Sequence, residues 1–300
     1  MLAEVLSALQ PRPGGRYGEF TVGSGGHAAA ILRASAPTGW LSGCDRDGDA
    51  LEAAARRLAE FAGRFELRRG NFTEFGDWVP AASLDGVLMD LGVSSPQLDR
   101  AERGFSFRQD GPLDMRMDTR QALTAATLVN ERSADELADI FWELGGERDS
   151  RRFARAIERD RQVRRFETTL QLAGLIERLA PRHGRRSHPA TRVFQALRIA
   201  VNDEIGSLRR GLQVAVNCLK PGGRLAVISF HSLEDSVVKK WGRELARDYA
   251  VPGEVDVPEM RLPRTPVLRL VNRKPITPGE PELAANPRAR SAQLRVFEKT

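Results

Sequence analysis

"GRYGEFTVGSGGHAAAILRAS", residues 15–35, changes character twice within 21 positions. Residues 15–23 have strand character and end in glycine, and residues 27–35 are an alanine-rich helical pattern. The glycines between them let the backbone bend tightly and approach a ligand in front of a helix N-terminus. Their spacing, Gly23-x-Gly25-Gly26, lacks the third glycine of the dinucleotide fingerprint. Asp45 lies 20 residues beyond Gly25, at the end of the next strand pattern, where a carboxylate can hydrogen-bond a ribose diol. Glycine turn and acid together favour an adenosine-bearing cofactor, either a nicotinamide dinucleotide or S-adenosylmethionine.

The alternation continues outward. Residues 39–45 read as a strand, 49–63 as an amphipathic helix stopped by Gly63, and 64–71 and 83–92 as two more strands. Strands separated by helix-length segments predict a parallel sheet with right-handed crossovers. From Asp118 to Leu219 the patterns are helical. They include 133–144 with a capping box of Ser133 and Glu136, 150–162, 168–180, and 189–219 with Pro189 at a first helical position and a break near Gly206. A fifth strand, 222–230, precedes a helix, 232–246, with a capping box of Ser232 and Asp235. Eight of the 17 prolines fall between Val251 and Pro287, and 266–272 with 291–299 predict an antiparallel pair at a sheet edge.

The expected layout is therefore an α/β sheet domain, 1–117 and 205–300, interrupted by an all-helical insertion, 118–204. The chain shows no second strand-bearing substrate domain of the kind a hydride-transfer enzyme carries. Its last strand pair suits a seven-stranded methyltransferase sheet with a reversed edge strand. Both points favour S-adenosylmethionine over the nicotinamide dinucleotide.

Composition sets the class. With 41% hydrophobic and 29% charged residues the chain fits a soluble globular protein, and no run approaches the 18 to 20 or so apolar residues of a membrane span. "MLAEVLSALQPRP" lacks the basic lead and cleavage site of a signal peptide. Cys44 and Cys218, far apart in apolar stretches, read as reduced core thiols of a cytoplasmic protein. His183 and His188 have no accompanying ligand set, so no metal is expected.

Residues 1–100 carry 10 basic and 13 acidic side chains, residues 101–200 carry 19 and 15, and residues 201–300 carry 17 and 12. The excess is almost all arginine, 41 against 5 lysines. A guanidinium fork suits phosphate, so a polyanionic partner is one reading and genomic base composition the other. Arg151, Arg152, Arg155, Arg159, Arg161, Arg164 and Arg165 would form a basic helix face able to follow RNA phosphates, or a solvated face with Glu158, Asp160 and Glu167 between them. Arg288 and Arg290 are similar candidates.

"LMDLGVSSPQLDRAERGFSFRQDGPLDMRMD", 88–118, begins as a strand and then loses regularity. A long connection of this kind in a compact domain is commonly functional. Asp90 ends the strand at the face where doubly wound sheets bind ligands. Ser94 and Ser95 follow within five residues, in a loop suited to presenting acceptors to a planar base. Phe105 or Phe107 could stack on such a base or lie in the core.

Four blocks carry a family resemblance: "DGVLMDLGVSSPQLDRAERGFSFRQDGPLDMRMD" (85–118), "SHPATRVFQALRIAVNDEI" (187–205), "PGGRLAVISFHSLEDSVVK" (221–239) and "NPRARSAQLRVFEK" (286–299). They closely resemble the MraW family of bacterial small-subunit ribosomal RNA methyltransferases. The resemblance implies a class I (Rossmann-like) methyltransferase sheet whose inserted helical domain recognises the substrate. It implies methyl transfer from S-adenosylmethionine to the exocyclic N4 of a cytidine in the decoding (P-site) region of 16S ribosomal RNA. The partner would be the small ribosomal subunit, and the enzyme a monomer or homodimer.

Position by position, it implies cofactor contacts at Gly25, Gly26, His27, Asp45, Phe72 beside the adenine, Asp90 and Gln97. Asp90, Ser94, Ser95 and His231 are the catalytic candidates, Asp90 being open to either role. The family's usual "Y-[IV]-D-[GA]-T-[FL]-G" reads "YGEFTVG" here, so Glu19 and Phe20 stand where relatives carry Asp and a small residue, and Phe20 is expected to add bulk near the methionine end of the site. A non-catalytic ribosome-assembly factor on the same scaffold is the alternative these two residues raise.

Overall fold

The computed structural model describes residues 1–180, 188–252 and 256–300. His183 lies outside them. The chain forms two compact units, Met1–Gly92 with Ile205–Thr300, and Val93–Glu204.

In the sheet unit, α1 (Leu2–Leu9) leads into β1 (Arg16–Glu19), α2 (Gly26–Ala34), β2 (Trp40–Asp45), α3 (Gly48–Arg57), β3 (Phe65–Arg69) and β4 (Leu84–Asp90). The helical unit holds α4 (Ser95–Asp99), α5 (Ala125–Glu131), α6 (Ala134–Glu143), α7 (Ser150–Arg161), α8 (Thr169–Leu179) and α9 (Thr191–Asn202). The chain returns to the sheet unit through α10 (Glu204–Cys218), β5 (Leu219–Ser229), α11 (Ser232–Leu245), the short pair β6 (Tyr249–Ala250) and β7 (Leu262–Pro263), then β8 (Leu268–Leu270), α12 (Glu280–Ala285) and β9 (Gln293–Lys299).

The sheet has seven strands in the order β3-β2-β1-β4-β5-β9-β8. The first five are parallel, and β9 alone runs antiparallel to both its neighbours. The parallel strands and the count of seven are as expected, with one correction: the reversed strand is not the edge. It lies between β5 and β8, pairing Arg224↔Glu298 through Ser229↔Gln293. Inner placement explains its burial of Leu294, Val296 and Phe297, which a solvated edge would not require.

Side chains alternate between two cores, as a two-faced sheet demands. Tyr17, Leu41, Leu88, Ile228, Leu294 and Val296 pack under α1 and α2. Phe20, Val87, Met89, Leu225, Val227 and Phe297 pack on the opposite face with Leu208 and Leu212 of α10 and Val238 of α11.

The helical unit begins at Val93, earlier than the residue 118 expected. Phe105, Leu113, Met115 and Met117 are buried with Leu137, Phe141, Phe153, Ile157, Leu172 and Leu197, so the aperiodic stretch belongs to the helical core. Phe105 is buried there, and Phe107 packs on Phe194 and His188 with ring centroids 4.6 and 4.7 Å away. Phe105 is thus a core residue, and Phe107 is partly buried against that core.

Three local expectations are corrected. The break between α9 and α10 falls at Asp203 in the left-handed region (φ 45°), while Gly206 lies inside α10. An aspartate tolerates that conformation better than most residues. Pro189 sits in the turn before α9, which starts at Thr191. The cap of α11 is His231 with Glu234, one residue before the expected pair. The Ser133–Glu136 capping box forms as read. Cys44 and Cys218 are free and buried. Among the described residues, no helix is long and apolar enough to cross a membrane.

Candidate functional site

The sheet unit gathers its unusual polar groups at the carboxyl ends of β1, β2, β4 and β5. Gly23 and Gly25 both take positive φ, 52° and 78°. At Gly25 a side chain would also stand 3.2 Å from the Ala54 backbone of α3, so glycine is required there twice over. Helix α2 starts behind this turn without a side-chain cap, so no cap side chain occupies its first N–H groups.

Asp45 fixes the turn. Its Oδ2 accepts from Gly23 N at 2.8 Å and its Oδ1 from Asp47 N at 2.9 Å. Burial raises its pKa, and these backbone donors oppose the rise. A carboxylate oxygen has a second lone pair, so both oxygens can still accept from a diol.

Glu19, at the end of β1, is 1% exposed, and its Oε2 has no hydrogen-bond partner. Burial pushes its carboxyl well above the usual range, and the charges of Asp90 and Asp45 push the same way. Asp90 N donates to Thr21 Oγ1 at 2.8 Å, which ties the end of β4 to that of β1. Asp90 Oδ2 lies 3.5 Å from His27 Nε2, while Asp90 Oδ1 and His27 Nδ1 are buried without partners.

His231 caps α11. Its Nδ1 accepts from Glu234 N at 3.4 Å, and Glu234 Oε2 accepts from Phe230 N at 2.9 Å. His231 Nε2 stands 3.1 Å from Glu234 Oε1 in an orientation that makes no hydrogen bond, which leaves it unsatisfied as well.

Buried polar atoms without partners are costly and few in native proteins. Four of them here, on Glu19, His27, Asp90 and His231, sit at strand carboxyl ends or at the helix starts that follow. That arrangement fits a polar ligand carrying positive charge, as the methionyl part of S-adenosylmethionine does.

The remaining expected residues have local structural roles of their own. Phe72 belongs to the core, with its ring 6.1 Å from that of Phe20 and against the backbone of Gly211. Phe20 is 1% exposed and packs at a tilt on Phe75 with ring centroids 4.3 Å apart, so its bulk enters the core. Strand alternation sends Phe20 to the face opposite Tyr17.

In the helical unit, Ser94 Oγ accepts from Gln97 N (3.4 Å) and Gln97 Oε1 accepts from Ser94 N (2.9 Å), a capping box that starts α4. Ser95 is exposed in its first turn. A recess of about 230 Å³ beside β3, lined by Cys44, Arg68, Asn71, Asp77 and Trp78 among others, includes none of the expected cofactor residues.

Sequence reasoning missed two contributors. Thr21 and Glu234 act through other residues, and neither type is distinctive at its position. Glu234 could have been found as the third residue after His231, had histidine been considered as a cap.

The whole chain, residues 1–300, matches the MraW methylase family. Ribosomal RNA small subunit methyltransferase H of Syntrophotalea carbinolica is 52% identical over 305 residues, spanning 100% of this chain and 96% of that protein. The protein of the same name from Geobacter sulfurreducens is 52% identical over 304 residues, spanning 100% and 97%. That of Symbiobacterium thermophilum is 50% identical over 304 residues, spanning 100% and 95%.

Proposed function

The chain belongs to the MraW methylase family, and from that premise we propose that it transfers a methyl group from S-adenosylmethionine to the exocyclic N4 of a cytidine in the decoding (P-site) region of 16S ribosomal RNA. The carrying observation is the set of unpartnered buried atoms on Glu19, His27, Asp90 and His231 around the glycine turn. Membership of a methylase family removes the nicotinamide alternative.

The bound cofactor supplies a methyl group on a sulfonium, already a strong electrophile. Gly25, Gly26 and His27 bring the start of α2 to it, and Asp45 accepts from the ribose hydroxyls while holding Gly23. Glu19 presents its unsatisfied oxygen to the cationic end. Phe72 closes the base of the adenine region from within the core and does not stack freely.

On the acceptor side, a cytosine N4 lone pair is delocalised into the ring. Acceptors that hold its two N–H groups favour the rehybridised nitrogen that attacks. Asp90 Oδ1 is such an acceptor and can take the proton once the methylated nitrogen is cationic. His231, whose Nδ1 accepts from Glu234 N and whose proton is therefore on Nε2, can donate to a ring acceptor of the base. Most of the acceleration then comes from alignment of nucleophile and methyl. Gln97 and Ser94 shape the start of α4, whose first turn carries exposed Ser95. The helical unit recognises the substrate RNA.

The test is methyl transfer from labelled S-adenosylmethionine to small ribosomal subunits lacking decoding-region methylation, followed by nucleoside analysis. The expected product is N4-methylcytidine. Label in another nucleoside sinks the assigned acceptor. Cofactor binding without any transfer supports the assembly-factor reading instead.

A further inference from the structure

The arginines around α7 divide into two groups. Arg159 pairs with Asp160 at 2.9 Å, Arg161 donates to the carbonyls of Val129 (2.9 Å) and Arg132 (2.6 Å), and Arg165 faces Glu131 at 3.4 Å. Arg148, Arg151, Arg152 and Arg155 are exposed, and among the described residues none has an acidic or carbonyl partner. Glu147 is buried and accepts from Asp149 N, so it leaves Arg148 uncompensated.

This placement opposes the stability of the helix. Arg151 and Arg155 are four apart, where like charges repel on a helix face, and Arg148 adds a further positive charge in the turn just before it. Arg151 and Arg152 also lie in the first turn, where positive charge works against the helix dipole. What holds α7 is its other side, with Phe153, Ala154, Ala156 and Ile157 buried. A polyanion would relieve the repulsion.

An exposed aromatic lies in the last turn of the preceding helix, α6. The turn from α6 to α7 is tight, with Gly146 N donating to Trp142 O and Glu147 N to Phe141 O, both at 3.0 Å. Phe141 is fully buried, yet Trp142, next to it, is 59% exposed. Exposed Arg192 at the start of α9 donates to Gly146 O at 3.2 Å and brings a further guanidinium to the same turn.

We propose that Trp142 with Arg148, Arg151, Arg152 and Arg155 forms a docking surface for single-stranded RNA, the guanidiniums on phosphates and the indole stacked on a base. The inference deepens the RNA-methyltransferase reading and rests on it. Unpaired arginines with one accessible aromatic ring are the combination that binds unpaired strands. An acidic protein segment would use the charges but leave the indole idle.

The full chain is compared with its Arg148→Gln/Arg151→Gln/Arg152→Gln/Arg155→Gln variant and with Trp142→Ala. Binding to an unstructured RNA oligonucleotide is measured across a salt series, with polyglutamate as competitor. In the quadruple variant the slope of log affinity against log salt falls by about 0.7 per lost phosphate contact, or about 3 in all. Its melting temperature does not fall, because repulsion is removed. Trp142→Ala weakens RNA binding by roughly 5- to 100-fold, and Trp142→Phe restores most of it.

An unchanged salt slope in a variant that still methylates overturns the surface and leaves the enzyme assignment intact. Equal competition by polyglutamate, with Trp142→Ala silent, replaces RNA by an acidic protein. A wild-type chain that neither binds RNA nor methylates overturns both readings together.

Discussion

Asn202 in the helical unit and Asp90 in the sheet unit are side chains of equal length with opposite surroundings. Asn202 is 2% exposed and fully engaged: its Oδ1 accepts from Met117 N, and its Nδ2 donates to the carbonyls of Met115 and Arg198. Asp90 has one oxygen 3.5 Å from His27 and the other buried with no partner. The contrast extends beyond the pair. Asn130 bonds both backbone atoms of Phe166, and Arg116 is bidentate to Asp114. All four unpartnered buried atoms among the described residues belong to the sheet unit. The helical unit spends its interior polar groups on its own fold, so its dealings with other molecules fall to its surface. The sheet unit keeps polar groups in reserve at one end of its strands.

The largest effect expected from this difference is on turnover. Asp90→Ala lowers methyl transfer to small subunits at least about 100-fold, since it removes a positioning oxygen at the reacting end. Near wild-type activity would mean that the reserve at β4 is incidental. In the helical unit the effect is on folding: Asn202→Ala strands Met117 N and two carbonyls, and urea unfolding should show a loss of about 3 kcal/mol.

Glu19→Gln sharpens the comparison through pH. A carboxyl whose folded pKa is raised contributes stability below its unfolded value, about 4.3, which is lost as pH rises through the folded value. The amide has no such loss. The variant should therefore melt above wild type at pH 8, and the gap should close at pH 4. An equal gap at both pH values would place the effect in packing, not charge. Smallest of all, Ser232→Ala should change stability by less than about 0.5 kcal/mol, because the cap of α11 is His231. A loss above about 1 kcal/mol would return the cap to Ser232.

Much of the sheet was legible because local signals and the final fold agree. Glycine turns, short strands and the Ser133 capping box are decided within a few residues of themselves. What was not legible depends on distant partners. The stretch from Val93 to Met117 has no period, yet Leu113 and Met115 are buried against helices that follow. The inner position of β9 is set by pairing with β5, some 65 residues earlier. At the site, Asp45, Asp90 and His231 were recognisable from their places at strand ends. The burial of Glu19 and the inward turn of Phe20 were not, because neighbours on one strand go to opposite faces and only the assembled sheet shows which face is occupied.

The reversed inner strand carries a consequence for synthesis. Translation completes the helical unit at Glu204, but the sheet lacks its sixth strand until Lys299 is made. At about 5–20 residues per second that interval is about 5–20 s. For the later part of it, once Ser229 has been made, the long strand β5 presents an open edge with unpaired backbone groups, the feature most prone to pairing with another chain. The nascent protein thus passes through a stage in which one unit can already be folded while the other waits, open at its centre, for the segment that closes it.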